Sequence, residues 1–562
     1  MKRLSHPVIV MLVIALLLAA CGSPAATPLP APTSGAAAQP APSLAAPTAV
    51  PTPEPTKGPS VGGTLVYPIS FEPDTLDVHR TPGGGSALVL QYIGASLVAK
   101  NPVTNEFIPY LAKSWSIAPD GKMLEFKLRE DVKFHDGSPL TAEDYAWTIN
   151  RAINPATKSP TTAAILRGVA GAEAVDAHTL RINMASPNFP LLQNLTDPIF
   201  SQPLPKAYFE KVGADAFGRS PVGVGPFKLK QWLTGEKVVL ERNPDFNWGP
   251  SYTHGGPPYV KTLEIRFIPE YATILAGLEA GELGLASLDA KDVKRIRDSG
   301  QFQLAERLSQ GTGLTVMLNV SKPPFDDVRV RQAFSLAVDR QTLVAVVRQG
   351  NARIQYGPLT PTVRGYWPGA EKIGYGYDLP KAKALMSQAG FTAASDGALQ
   401  KDGTPLRLKL KAISNLAESA QVATILQEQF KALGVAIEIE QNEAGVLTAS
   451  MLKGDYNFAV TGSGWADSSL IFGLFHSSMI GGLNLSQVKD PELDAFLLKM
   501  MFAPSLEVNL SAGNDAQRLI VERAYLIPLY APQYFTAIAK WLHGVRVSPD
   551  GTTELFDAYI TK

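Results

Sequence analysis

Cys21 is the only cysteine in a chain of 562 residues, and no other feature narrows the possible folds as much. An internal disulfide is impossible and a cysteine cage cannot hold a metal, so whatever folds must be held by packed apolar cores. The position of that cysteine is equally informative. Residues 1–20 begin Met-Lys-Arg, run apolar from Val8 to Ala20 and end in Leu18-Ala19-Ala20 just before it. A basic start, small residues at the junction and an apolar run short of the roughly 20 residues of a membrane span describe a secretory signal.

Leu18-Ala19-Ala20-Cys21 is similar to the bacterial lipobox, whose cysteine thiol receives a diacylglyceryl group. Cys21 is therefore the expected lipidation site, the other reading being an ordinary signal with a chance cysteine. From Gly22 to Ser60 the chain holds 11 Pro, 10 Ala and 5 Thr and no aromatic residue. Such a stretch cannot bury enough apolar surface to offset its ordering entropy. As extended polyproline II it reaches on the order of 100 Å, a spacer between lipid and folded part. A docking motif for a proline-binding partner is the alternative.

The remainder is long enough for more than one core, since single cores stop growing at roughly 250–300 residues. Basic and acidic side chains balance at 51 each, which leaves no footprint for nucleic acid. Seven histidines occur, none in an HExxH spacing, so a zinc enzyme of that type is excluded.

Short alternating strands are predicted at Thr64–Tyr67, Leu124–Leu128, Thr179–Ile182, Lys237–Glu241, Leu263–Ile268, Leu314–Asn319, Leu406–Leu410 and Val435–Ile439. Helices fall between them. One is predicted over Asp327–Leu343 from the stripe Val330, Phe334, Ala337 and Val338. Another starts at Thr141, which forms a capping box with Asp144 in place of the usual Glu. A third, Leu416–Leu433, stops at Gly434. Helix-then-strand alternation implies α/β lobes, and no internal repeat is visible.

Several motifs invite a chemical reading and lose it on inspection. Asp136-Gly137, after His135, is a turn signal between a strand and the Thr141 helix. Gly223-Val224-Gly225-Pro226 lacks the Lys-Ser/Thr of a phosphate loop and the third glycine of a dinucleotide fingerprint. Gly83-Gly84-Gly85-Ser86 lacks that Lys too and reads as a flexible loop at a cleft edge. Around Ser463 a nucleophile elbow would need glycines at positions 461 and 465, which hold Thr and Trp. A secreted hydrolase such as a glycosidase stays as the second reading, without a residue pattern to support it.

An ordered set of blocks carries a resemblance. Gly63-Thr64-Leu65 is followed by Glu72-Pro73-Asp74-Thr75-Leu76-Asp77, then by Pro109-Tyr110-Leu111-Ala112-Lys113-Ser114-Trp115 and Phe134-His135-Asp136-Gly137. Gly223–Phe227, Leu240–Pro244, Phe325–Ala333, Ala337–Arg340 and Pro528-Leu529-Tyr530 complete it. The order resembles the family 5 extracellular solute-binding proteins, the peptide- and nickel-binding lipoproteins of ABC importers, over essentially all of residues 61–562.

The resemblance implies an α/β, two-lobed periplasmic-binding-protein-like fold with an extra domain inserted in the first lobe. Lobe I is expected at 61–92, 207–312 and 531–562, the insertion at 93–206 and lobe II at 313–530. It implies no enzyme activity and no cofactor or metal site. The expected chain is a monomer that binds a small-molecule or peptide ligand, partners an ABC permease and is tethered by lipid on the extracytoplasmic face. Asp467 is the implied partner of a ligand ammonium group, with Trp465 as an aromatic wall. The segment here is Trp-x-Asp, one residue shorter than the family's Trp-x-x-Asp, and it lacks the Asp-Pro-Asp that follows there. Asp467 has a second reading as the cap of a helix through Leu470 to Phe475. Tyr356, Tyr366 and Trp367 are further cleft candidates, and Arg353 and Arg364 are candidate partners for a ligand carboxylate. Oligopeptide is the expected ligand, with oligosaccharide and nickel chelate as alternatives.

Overall fold

The computed structural model describes residues 58–562, apart from 82–84, 103, 105, 160–161, 167, 186–190, 415, 465, 504 and 549–550. Cys21, the Pro-rich stretch up to residue 57 and Trp465 lie outside the described residues. Two lobes of mixed α/β structure are built around three principal sheets. In the first, Gly62–Ile69 runs parallel to Val260–Phe267, which pairs antiparallel with Lys237–Arg242, and that strand with Phe227–Leu233. The second is antiparallel throughout and contains Ala112–Ile117, Met123–Leu128, Thr179–Met184 and Val169–Asp176. Its strand Met123–Leu128 buries Leu124, Phe126 and Leu128 in alternation and turns Glu125 and Lys127 outward.

The third sheet has eight strands, and the 14-residue strand Leu526–Ala539 is its spine. Its first half is in register with Leu314–Leu318 and Ala352–Ile354, through pairs such as Val316↔Ile527 and Ile354↔Tyr530. Its second half is in register with Phe302–Leu308 and Leu285–Leu288, from Leu308↔Gln533 to Phe302↔Ala539. Beyond Leu314–Leu318 follow Phe458–Gly462, Arg407–Ile413 and Ala436–Asn442. One strand thus belongs to both halves of the molecule. Phe334, Phe430, Phe458 and Leu529 share a core on one side of its change of partners, and Leu65, Phe227, Ile265 and Ile538 share another. Phe126, Tyr145, Leu180 and Trp248 form the core of the 112–184 sheet.

Local signals act where the sequence places them. Thr141 caps Ala142–Ile153 through a complete capping box with Asp144. Ala417–Leu433 ends at Gly434, whose φ of 96° suits glycine, and the strand Ala436–Asn442 follows. The single helix expected over Asp327–Leu343 is instead two, Val328–Leu336 and Arg340–Arg348. Asp339 restarts the chain by accepting from the amides of Gln341 and Thr342 at 3.0 and 3.2 Å. Arg340, buried by the break, donates to the carbonyls of Pro528 at 2.6 Å and Tyr375 at 2.8 Å. Among the described residues no helix is long and apolar enough to cross a membrane.

Candidate ligand-binding cleft

A cavity of about 820 Å³ is lined by Gln193, Arg307, Glu418, Val460, Asp467, Glu554 and others, with Tyr534 from the spine strand. Its most regular wall is a strand edge. Phe458–Gly462 is paired along its whole length with Leu314–Leu318, but with Arg407–Ile413 only at Phe458 and Ala459. Val460, Thr461 and Gly462 therefore have no register partner on that side among the described residues, and all three line the cavity. Unpaired backbone of this kind accepts an added extended strand.

The loop that continues this edge is held by a close backbone approach. Thr312 donates its amide to the Ser463 carbonyl at 2.8 Å, and the Ser463 amide donates to Thr312 Oγ1 at 2.9 Å. A Cβ on Gly311, at φ +93°, would stand 1.8 Å from the Ser463 carbonyl oxygen. Only glycine permits this crossing.

Asp467 closes that loop and lines the cavity, with 8% of its surface exposed. Its Oδ1 accepts the Ser469 amide at 2.7 Å from one residue before Ser468, the N-cap of helix Ser469–Phe475. Its Oδ2 is buried and has no hydrogen-bond partner. Burial pushes this carboxyl above the ordinary range, opposed by the Ser469 hydrogen bonds and by the charges of Arg364 and Lys100. A buried acceptor with an unused oxygen is suited to receive a ligand donor.

Of the other residues singled out in the sequence, Tyr356, Tyr366, Trp367 and Arg353 stand elsewhere. Tyr356 and Arg353 line a shallower hollow of about 440 Å³ with Gln341 and Glu371. Arg353 is ion-paired with Glu371, which also accepts the Tyr366 hydroxyl at 2.6 Å. Trp367 donates its backbone amide to Gln517 Oε1 at 3.2 Å. Tyr356, Tyr366 and Trp367 are not among the residues that line the larger cavity. Arg364 lies over the Phe107 ring at 4.8 Å and gives its amide to the Ala466 carbonyl at 3.2 Å.

Cavity residues that the sequence did not reveal come with their own partners. Glu418 accepts the Tyr530 hydroxyl at 2.9 Å and Arg348 Nη1 at 3.5 Å. Arg307 lies 4.5 Å from the ring centre of Tyr534, its register partner on the spine strand. Glu554 accepts from Ser548 Oγ and Arg546 Nη1, each at 3.0 Å, and from the Tyr252 hydroxyl at 3.3 Å. Burial raises the Glu554 carboxyl against the pull of those partners. No local motif marks any of these positions.

The His135 and glycine motifs act as struts. His135 Nδ1 accepts the Gly223 amide at 3.3 Å, so its Nε2–H donates to the Gly225 carbonyl at 3.1 Å. The Gly225 amide in turn donates to the Ile93 carbonyl at 2.7 Å, and a Cβ on Gly225 would stand 2.5 Å from that carbonyl group. Among the described residues no cluster of three or more His, Cys, Asp or Glu side chains is arranged to hold a metal ion.

Comparison with known proteins gives a consistent picture. The model of the bacterial extracellular solute-binding proteins, family 5, middle, matches residues 106–477. The oligopeptide-binding protein AppA of Bacillus subtilis (strain 168) is 27% identical over 455 residues, covering 78% of this chain and 81% of that one. The nickel-binding periplasmic protein of Escherichia coli (strain K12) is 28% identical over 404 residues, covering 70% and 73%. The crystal structure of NikA from Brucella suis in complex with Fe(III)-EDTA has a TM-score of 0.79 at 23% identity, covering 89% of this chain and 100% of that one.

Proposed function

Because the chain belongs to the bacterial extracellular solute-binding proteins of family 5, we propose that it captures an oligopeptide in this cavity and hands it to the permease of an ABC importer. It is a solute-binding protein and not an enzyme, as its relatives are. The observation that carries the peptide reading is the open edge Val460–Gly462, which leads through Ser463 and Gly464 to the buried Asp467. An extended peptide pairs with such an edge through its backbone, which gives affinity with little side-chain selectivity. Asp467 Oδ2 then receives the amino terminus, as a charge taken into a cleft needs a charged acceptor.

Lobe I comprises 61–92, 207–312 and 531–562, the insertion 93–206 and lobe II 313–530 in this reading. Supporting it, the spine strand exchanges one set of partners for another between Tyr530 and Gln533. Closure of the lobes about that crossing accompanies binding. Cys21 carries the lipid, and the Pro-rich stretch after it spaces the binding domain from the membrane.

Thermal unfolding in the presence of tri- to hexapeptides, nickel chelates and oligosaccharides tests the choice of ligand. Peptides should raise the melting temperature, a hundredfold excess over Kd adding about 2.7 kcal/mol. A shift from a nickel chelate or a sugar with none from any peptide would overturn the peptide reading.

A further inference from the structure

Beside the main cavity lies a chamber of about 20 Å³, lined by Gln193, Arg364, Asp467, Ser469 and Met500 among others. Gln193 and Asp467 line both spaces, so the chamber and the cavity share them as a common wall. They come from distant segments, one from the short helix Leu191–Asn194 and the other from the loop before Ser469.

Each presents an acceptor that nothing in the protein satisfies. The Gln193 amide nitrogen donates to Thr196 Oγ1 at 3.3 Å, and the Thr196 hydroxyl donates to the Gln193 backbone carbonyl at 2.7 Å. With its nitrogen held, the side-chain oxygen is left over, and Gln193 Oε1 is buried without a hydrogen-bond partner. Asp467 repeats the pattern, with Oδ1 used by Ser469 and Oδ2 left over. Of the donors at hand, Asn509 Nδ2 already gives a hydrogen bond to the Met500 carbonyl at 2.8 Å. Buried acceptors are nearly always paired, and two orphans on one small space point to a donor that arrives from outside. A space of this size holds about one water-sized group. A group with several N–H donors and no acceptor matches it, which is a primary ammonium.

We infer that Gln193 Oε1 and Asp467 Oδ2 jointly receive the ammonium group of the bound solute, which makes the 191–194 segment part of the binding site. This rests on the amine-bearing peptide reading above and adds a second reader to it. The positive charge of Arg364 acts on Asp467 from the same chamber, so the carboxylate is divided between two cations and the neutral Gln193 acceptor completes the shell. Ligand capture then draws a residue preceding the 227–233 strand toward the loop that follows the 458–462 strand.

The test uses the full chain, a pool of tri- to hexapeptides and the same pool N-acetylated, with capture measured by native mass spectrometry. Wild type should prefer the free-amine pool, and Gln193→Leu should lose that preference by about tenfold or more, as loss of a charge-assisted bond predicts. Capture of the acetylated pool by the same variant is the reference against which that preference is taken. Wild type without preference for the free-amine pool removes the amine reading and this inference with it. Wild-type preference retained in full by Gln193→Leu removes only the inference and leaves Asp467 as sole reader. If Gln193→Leu does not fold, judged by its ligand-free melting temperature, Gln193→Glu decides. A stronger free-amine preference in that variant supports the shared acceptor, and an unchanged or weaker one overturns it.

Discussion

Asp77, fully buried, and Arg151, largely buried, form a two-point ion pair, Nη1 donating to Oδ1 at 2.9 Å and Nη2 to Oδ2 at 2.6 Å. Arg151 Nη1 also donates to His79 Nδ1 at 2.8 Å, and the guanidinium lies 4.2 Å from the ring centre of Phe209. The pair fastens helix Ala142–Ile153, packed on the 112–184 sheet, to the segment that precedes helix Gly85–Ile93. Arg151→Met leaves the Asp77 charge buried and alone, which typically costs about 3–5 kcal/mol. Urea unfolding measures the loss. The double variant with Asp77→Leu should be far less damaging than the sum of the two singles. A cost of only about 0–1 kcal/mol for Arg151→Met, the value of an exposed pair, would refute the assignment.

Acid should destabilise the fold before its carboxylates titrate. Burial, with the Arg151 charge added, holds the pKa of His79 down at about 3, and burial holds that of His135 at about 4. Unfolded, each takes a proton below about pH 6.5. Between those values the unfolded state binds more protons, so stability is full above about pH 6.5 and falls as the pH drops. The slope is about 1.4 kcal/mol per pH unit for each residue. His135→Gln should remove half of that slope. Equal urea midpoints at pH 7 and pH 5 in wild type would sink the prediction.

For Asp467, substitution by Asn keeps shape and removes charge. Affinity for a free-amine peptide should drop by roughly two to four decades, as when one partner of a buried pair is lost. N-acetylation should weaken binding to wild type strongly and to Asp467→Asn much less. Because burial raises this carboxyl, wild-type affinity should decline on acidification above the usual carboxylate range, while the Asn variant stays flat. Calorimetric titration across pH reads both effects, and equal affinities for the two proteins would exclude Asp467 as an amine reader.

Replacement of Cys21 by Ser should abolish membrane attachment, since the chain has no other thiol to carry lipid. Membrane fractionation of cells expressing the variant checks it. Two acyl chains are needed for stable anchoring, a single one giving only reversible binding. Wild-type partitioning by Cys21→Ser would show that something else tethers the protein.

How far the sequence reaches depends on whether a signal is local. Thr141 with Asp144 and Gly434 after Leu433 are satisfied within a turn, and both were readable. The stripe through Val330, Phe334 and Val338 hid the break at Asp339, because apolar spacing continues across two helices that share one core. The spine strand was not predicted, and it carries Pro528 and Pro532, residues that a central strand normally lacks. Both are accommodated in register with Thr315 and Ala352. Asp467 was legible only through a resemblance, whereas Gln193, Arg307, Glu418 and Glu554 meet at the cavity because the fold brings distant segments together.

The place of the spine strand in the chain has a consequence for biogenesis. Leu526–Ala539 is threaded between strands that are all made before it, and its side chains complete cores in both halves. As the polypeptide leaves the ribosome, the eight-stranded sheet lacks this strand until residues 526–539 have been made. Neither half can seal early. The spine strand therefore closes both halves at once, after every other strand of its sheet has been made.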